Sequence, residues 1–143
     1  MSDAAAPERD PVRLVFGAMA FGVALGVGLQ GLVTFAVDTV KSAAPAGASP
    51  SLDSPQALML LLGTPAAILA AGFATWTILR PIKNPWRQAM LAMIAGLGSF
   101  MCSLVAWPIH ATFGRPGLLV LAGAAGGLCL LIGRRLTDSR DPA

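Results

Sequence analysis

Charged side chains are scarce in this sequence, and their scarcity excludes an average water-soluble domain. Asp, Glu, Lys and Arg make up 12% of the 143 residues, whereas hydrophobic residues make up 55%. A soluble domain has about 25% charged and about 45–50% apolar residues. The Lys and Arg residues mark the ends of long apolar segments instead of forming the basic face that nucleic-acid binding requires. The composition therefore favours a protein surrounded by membrane lipids, with no nucleic-acid partner.

Residues that bind metals or exchange disulfides are also few. His110 is the only histidine, which excludes haem ligation by a pair of histidines. Cys102 and Cys129 are the only cysteines, and no CxxC or Cys/His cluster surrounds them. On membrane-crossing helices they would differ by about 13 Å in depth, whereas a disulfide needs Cα atoms within about 7 Å of each other. The sequence therefore predicts no cofactor and no metal site.

Four uncharged apolar segments dominate what the sequence does contain. They are 24, 23, 20 and 17 residues long and cover residues 14–37, 57–79, 88–107 and 117–133. About 20 helical residues cross a hydrocarbon core of about 30 Å, so the first three segments are long enough and the glycine-rich fourth is at the lower limit. We predict an all-α, integral membrane four-helix bundle over residues 13–135. Short loops, including a turn-rich one at 108–117, connect the spans, and the ends at 1–12 and 136–143 are expected to be disordered.

The cations predict how this bundle is oriented. Eight of the ten Lys and Arg residues lie on one side of the predicted spans and two on the other, the asymmetry of the positive-inside rule. Both termini are therefore predicted to be cytoplasmic (N-in/C-in), and residues 80–87, RPIKNPWR, form the turn between the second and third spans. The predicted topology anchors are Arg80, Lys83, Arg87, Arg134 and Arg135. An alternative use for these cations is contact with anionic lipids or a partner. The composition suits a high-GC bacterium, which indicates the cell inner membrane.

Small residues recur every four positions in the first and fourth predicted spans. The rows are Ala18, Gly22 and Gly26; Ala20, Ala24 and Gly28; and Gly123 with Gly127. Residues four apart lie on one face of a helix, and small residues there let two helix backbones approach closely. We expect these rows to pack the first span against the fourth, within one chain or between copies. Docking onto a different protein is the alternative, because the first span has small rows on two faces.

Few polar side chains interrupt the spans. Gln30, Thr64 and Ser103 fall at similar predicted depths, each about 6–8 Å to the outer side of its span's middle. Thr64 precedes a proline, which leaves a backbone carbonyl free for Gln30 to reach across helices. A structural role for this polar cluster is the favoured interpretation. The alternative is a small polar pocket open to the outside, with His110 and Asp38 at its mouth.

The absence of ionisable side chains from all four spans bears on function. Ion- and proton-coupled carriers need an ionisable group at membrane depth, and none is present here. The favoured hypothesis is a non-catalytic accessory, assembly or scaffold subunit that packs against a larger membrane protein complex. The alternative is a small channel or carrier for an uncharged solute. An enzyme is the least supported interpretation, because the loops contain few Asp, His or Ser residues that could form a catalytic group.

Overall fold

The computed structural model describes residues 11–45, 47 and 54–138, and over these residues the chain forms four helices and no strands. The helices are α1 (Pro11–Ala43), α2 (Pro55–Ile78), α3 (Pro85–Ser103) and α4 (Ala106–Asp138). The all-α prediction is thus confirmed. The predicted disordered ends lie mostly outside the described residues, since α1 begins at Pro11 and α4 continues to Asp138.

Three of the helices, α1, α2 and α4, are long and apolar enough to cross a membrane. The third helix is not one of them, although residues 88–107 are predicted as a full span. It has 19 residues and ends at Ser103, and its first turn contains the polar residues Arg87 and Gln88. The fourth helix, predicted to be the shortest span, qualifies because its continuous part, residues 115–138, extends beyond the predicted span to Asp138.

The predicted turn-rich loop at 108–117 is largely helical. Residues 106–113 form the first part of α4, and the helix is interrupted at Gly114, whose φ of 65° and ψ of −152° favour glycine. A Cβ added to Gly117 would lie 3.0 Å from the Ile109 side chain. In an unbroken helix, residues eight apart are separated by about 12 Å, so the chain folds back sharply at Gly114. We call residues 104–113 the crossover.

Helix α1 is at the centre of the molecule. It packs against α2, α3 and α4, and α2 also packs against α3. Helix α4 packs extensively against α1 alone. Because α3 and α4 lie on different sides of α1, the crossover has to pass α1 to connect them.

The two ends of this bundle differ in charge. All four helices have one end in common. There Gly17 of α1 lies close to Leu136 of α4, and Gly22 of α1 lies close to Thr75 of α2. The Gln88 side chain of α3 donates to the Leu79 carbonyl at the end of α2. This basic end contains the residues Arg13, Arg80, Lys83, Arg87, Arg134 and Arg135. The opposite end, which we call the clamp end, contains Asp38, Lys41, His110 and Arg115.

Candidate functional site

The first row of small residues on α1 forms the contact with α2 and α3. Ala18 is fully buried, and a Cβ added to Gly22 would overlap the Thr75 hydroxyl and lie 2.8 Å from the Ala71 carbonyl oxygen. A Cβ added to Gly26 would overlap Ser99 of α3. This row therefore faces α2 and α3, and not the fourth helix.

The second row on α1 lies towards α4. A Cβ added to Gly28 would be 3.2 Å from the Cβ of Ala125, and Ala24 borders the shallow groove between α1 and α4. Ala20, in contrast, is exposed. Gly31 continues the contact beyond the predicted row, with a Cβ position 3.8 Å from Ala122.

The predicted glycines of α4 do not contact α1. No atom of a neighbouring residue lies within 4 Å of a Cβ position on Gly123, Gly126 or Gly127, and all three are exposed. The side of α4 that faces α1 is formed instead by residues at helical spacing, namely Leu118, Ala122, Ala125 and Cys129. Gly123 and Gly127 each lie two residues from Ala125, about 200° around the helix from it, which turns them away from this side. We call the surface of Gly123 and Gly127 the glycine face; Gly126, four residues after Ala122, borders the groove between α1 and α4 instead.

Two of the three predicted polar residues are in contact. Gln30 Nε2 donates a hydrogen bond to Thr64 Oγ1 at 3.1 Å, which links α1 to α2. Ser103 is nearly buried, but its hydroxyl donates to the Phe100 carbonyl of its own helix at 2.6 Å. The structure therefore joins Gln30 with Thr64 and leaves Ser103 out.

Two grooves on the described surface are apolar. One, of about 370 Å³, lies between α1 and α2 and is lined by residues that include Val33, Leu62 and Gly63. The other, of about 150 Å³, lies between α1 and α4. Neither Gln30 nor Thr64 lines either groove, so the pair is not the wall of a polar pocket there.

Asp38, His110 and Arg115 meet at the clamp end. Arg115 Nε donates to Asp38 Oδ2 at 2.6 Å, and Arg115 Nη2 donates to the Asp38 carbonyl oxygen at 3.3 Å. His110 Nε2 lies 3.5 Å from the other carboxylate oxygen, Oδ1. The hydrogen bond from Arg115 lowers the pKa of Asp38, and the charge of Arg115 and contact with His110 act in the same direction, while desolvation opposes them. This contact ties the crossover and the start of the straight part of α4 to α1.

The turn at the basic end depends on two polar side chains that the sequence patterns do not identify as functional. Asn84 Oδ1 accepts hydrogen bonds from the backbone N–H groups of Trp86 and Arg87 and so caps α3. Gln88 is nearly buried, and its Nε2 group donates to the carbonyl oxygens of Leu79, Arg80 and Ile82. The sequence does distinguish Gln88, because it is a polar residue in the first turn of α3, at the start of a predicted apolar span.

The predicted topology anchors share the basic end. Arg80, Lys83 and Arg87 are exposed on the α2–α3 turn, and Arg134 and Arg135 lie in the last turns of α4. Trp76 and Trp86 are also exposed beside this turn. Within residues 11–45, 47 and 54–138, no group of three or more His, Cys, Asp or Glu residues is placed to hold a metal ion.

These features define an all-helical protein that has three helices able to cross a membrane, a centre of small residues and one polar clamp. No protein-family model matches the chain, and no curated protein or solved structure shows significant similarity to it.

Proposed function

We propose that this chain is an integral protein of the bacterial cytoplasmic membrane that crosses the bilayer four times, with both termini in the cytoplasm. The support is the length and hydropathy of α1, α2 and α4, and the six cations at the basic end. These cations are expected to contact the headgroups of membrane lipids on the cytoplasmic side.

The proposed fourth crossing is made by α3 together with the crossover. The 19 residues of α3 extend about 28 Å, close to the thickness of the hydrocarbon core. Gly96 approaches Ile68 of α2, and Ser99 approaches Gly26 of α1, so α3 lies beside the middle of both helices. A helix in that position is surrounded by the same lipid as its neighbours.

The proposed activity is non-catalytic: an accessory, assembly or scaffold subunit that packs against a larger membrane protein complex. The observation that supports it is the glycine face of α4, which is exposed on a helix that packs extensively against α1 alone. Glycine on a helix surface permits close packing of another helix, but gives no advantage against lipid tails, which are as apolar as leucine. A glycine face that contacts no other described residue therefore suits a partner helix from another subunit.

The glycine face also permits a sharp test. Gly123→Leu and Gly127→Leu add side chains into open space, so the fold should tolerate them while docking is blocked. Ala66→Leu, on the exposed surface of α2, is the matched control. After extraction from native membranes in a mild detergent, wild type and Ala66→Leu should migrate with a larger complex whose subunits mass spectrometry identifies. Both glycine variants should migrate as the free protein. Recovery of the wild type as a free monomer alone would contradict the proposal.

A second candidate is a small channel or carrier for an uncharged solute. The hydrogen bond between Gln30 and Thr64 favours it, because it places two polar groups between helices beside Pro65. Solute flux into vesicles that contain the purified protein, lost in both Gln30→Leu and Thr64→Val, would support this candidate. Vesicles that stay sealed would count against it.

A further inference from the structure

We propose that the turn between α2 and α3 binds one anionic phospholipid of the cytoplasmic leaflet. Arg80, Lys83 and Arg87 contact its phosphate groups, and its acyl chains lie along α2 and α3. The headgroup that suits this turn carries two phosphate groups, as that of cardiolipin does. Such a site presupposes the membrane location proposed above and adds to it a particular lipid.

The positive charge of this turn is uncompensated. Residues 54–103, which form α2, α3 and the turn, contain no Asp or Glu, and their only charged residues are Arg80, Lys83 and Arg87. All three side chains are exposed, and none forms an ion pair with another residue that the structure describes. A headgroup with a single phosphate would leave most of this charge unmatched, whereas two phosphate groups provide two charge-assisted contacts.

The backbone that carries these cations is fixed by polar side chains of the turn. Gln88 Nε2 donates to the carbonyl oxygens of Arg80 and Ile82. Asn84 Oδ1 accepts from the N–H group of Arg87. A topology anchor needs only charge on the correct side of the membrane. A turn that is ordered before binding also loses less conformational entropy when it holds a ligand.

Exposed apolar side chains lead away from the turn along both helices. We call these two rows the lipid stripes, and each begins with a tryptophan, the residue type that is enriched at headgroup depth. Spacings of three and four residues place the members of each stripe on one face of its helix. The stripes consist of Trp76, Phe73 and Leu69 on α2, and of Trp86, Met90, Met93 and Leu97 on α3.

Both lipid stripes are turned away from α1. On α2, Phe73 lies two residues from both Ala71 and Thr75, which lie against α1. On α3, Leu97 lies two residues from Ser99, which also lies against α1. Two residues correspond to about 200° around a helix. Since α2 and α3 pack against each other as well as against α1, the two stripes share the outer side of this helix pair, with the cations at their cytoplasmic end.

Acyl chains suit the lipid stripes better than a partner helix does. Close packing of helices in a membrane depends on small residues at the contact, and both stripes consist of large side chains. Acyl chains are flexible and adapt to such a surface. The glycine face proposed for a partner helix is on α4, so the lipid site and the docking site are separate.

Lipid titration of the full-length protein in detergent micelles, followed by native mass spectrometry, tests the site. The wild type, isolated from bacterial membranes, should bind a single cardiolipin more tightly than phosphatidylglycerol or phosphatidylcholine. Lys83→Gln should weaken cardiolipin binding about fivefold, the contribution of one cation near an anionic surface. Arg134→Gln is the matched control, because it removes the same charge from the basic end outside the turn, and it should bind cardiolipin as the wild type does.

Tryptophan fluorescence provides a second measurement, because the chain has three tryptophans and Trp107 is in the crossover, far from the turn. Cardiolipin with brominated acyl chains, added at equal concentration to the protein, should quench the wild type. The double variant Trp76→Phe/Trp86→Phe, which retains Trp107 alone, should not be quenched under the same conditions.

Equal affinity for the three phospholipids, or equal weakening by Lys83→Gln and Arg134→Gln, would overturn the proposal. Binding of an acidic partner protein that Lys83→Gln abolishes, without bound lipid, would also overturn it. The titration in micelles does not depend on how often the chain crosses a membrane, so these results would leave the proposed four crossings intact. Recovery of the chain outside the membrane fraction would overturn the membrane location and the lipid site together.

Discussion

The hydroxyl of Thr75 on α2 lies where a side chain of Gly22 on α1 would otherwise stand. A Cβ on Gly22 would overlap Thr75 Oγ1 and would also come within 2.8 Å of the Ala71 carbonyl oxygen. Thr75 Oγ1 donates to that same carbonyl at 2.9 Å and lies 3.4 Å from the carbonyl of Ala18. The small residues of α1 thus leave a space that the Thr75 hydroxyl fills. This contact positions α2 against α1.

Gly22→Ala should therefore destabilise the bundle by about 1–3 kcal/mol, because the added methyl group meets a backbone oxygen that cannot move alone. Thermal or denaturant unfolding in detergent micelles measures this change. Gly127→Ala is the control, since its Cβ position is open, and it should change the stability by less than about 0.5 kcal/mol. Equal effects of the two substitutions would contradict the packing described here.

Replacement of Thr75 separates packing from hydrogen bonding. Thr75→Val keeps the volume but loses the hydroxyl, and an interhelical hydrogen bond in membrane proteins contributes about 0.6 kcal/mol on average. Thr75→Leu keeps no hydroxyl and adds volume to a fully buried position, so it should cost about 1–3 kcal/mol. Equal losses for Thr75→Val and Thr75→Leu, measured by unfolding in the same micelles, would show that the hydroxyl matters more than the shape.

Gln88→Leu should destabilise the turn between α2 and α3. The side-chain amide donates to three carbonyl oxygens at the end of α2, and the loss of a buried donor costs about 1–3 kcal/mol. The exposed neighbour Arg87 provides the control, since Arg87→Gln should change the stability by less than about 0.5 kcal/mol. Exchange of the amides of residues 79–84 measures the effect locally. Unaltered protection of these amides in Gln88→Leu would show that the Gln88 side chain does not hold the turn in place.

Asp38→Asn should change how the stability depends on pH. The folded-state pKa of Asp38 lies below its ordinary value, so its contribution is present above that ordinary value and is lost as the pH falls through the folded-state pKa. Wild type should therefore lose stability relative to Asp38→Asn in the range below about pH 4. The difference at neutral pH should not exceed about 1 kcal/mol, because the carboxylate is partly exposed. A free energy difference that is constant between pH 7 and pH 3 would contradict this assignment.

The helices themselves could be predicted from the sequence, because uncharged apolar runs of 17 to 24 residues allow few other structures. The side of each helix that meets a given neighbour could not. A spacing of four shows that Gly123 and Gly127 share a face, but not that Ala125 and Cys129 are the residues that contact α1. That choice depends on the rotation of the whole helix, which long-range contacts determine.

The crossover could not be predicted for a related reason. Proline and glycine between residues 108 and 117 are typical of a turn, yet Pro108 stands in the first turn of a helix, where its missing N–H group costs nothing. The contact between Asp38 and Arg115 has no local sequence pattern either, because 77 residues separate them. By contrast, the pairing of Gln30 with Thr64 followed from their similar depths, and the structure contains that hydrogen bond.

Reporter fusions at the two termini of the protein, expressed in a bacterial host, measure whether the chain crosses the membrane four times. Four crossings require that fusions at residue 1 and residue 143 both report the cytoplasm, while a fusion within residues 44–54 reports the opposite side. Termini on opposite faces of the membrane would contradict the account, because they would show that only the three longer helices cross and that α3 does not.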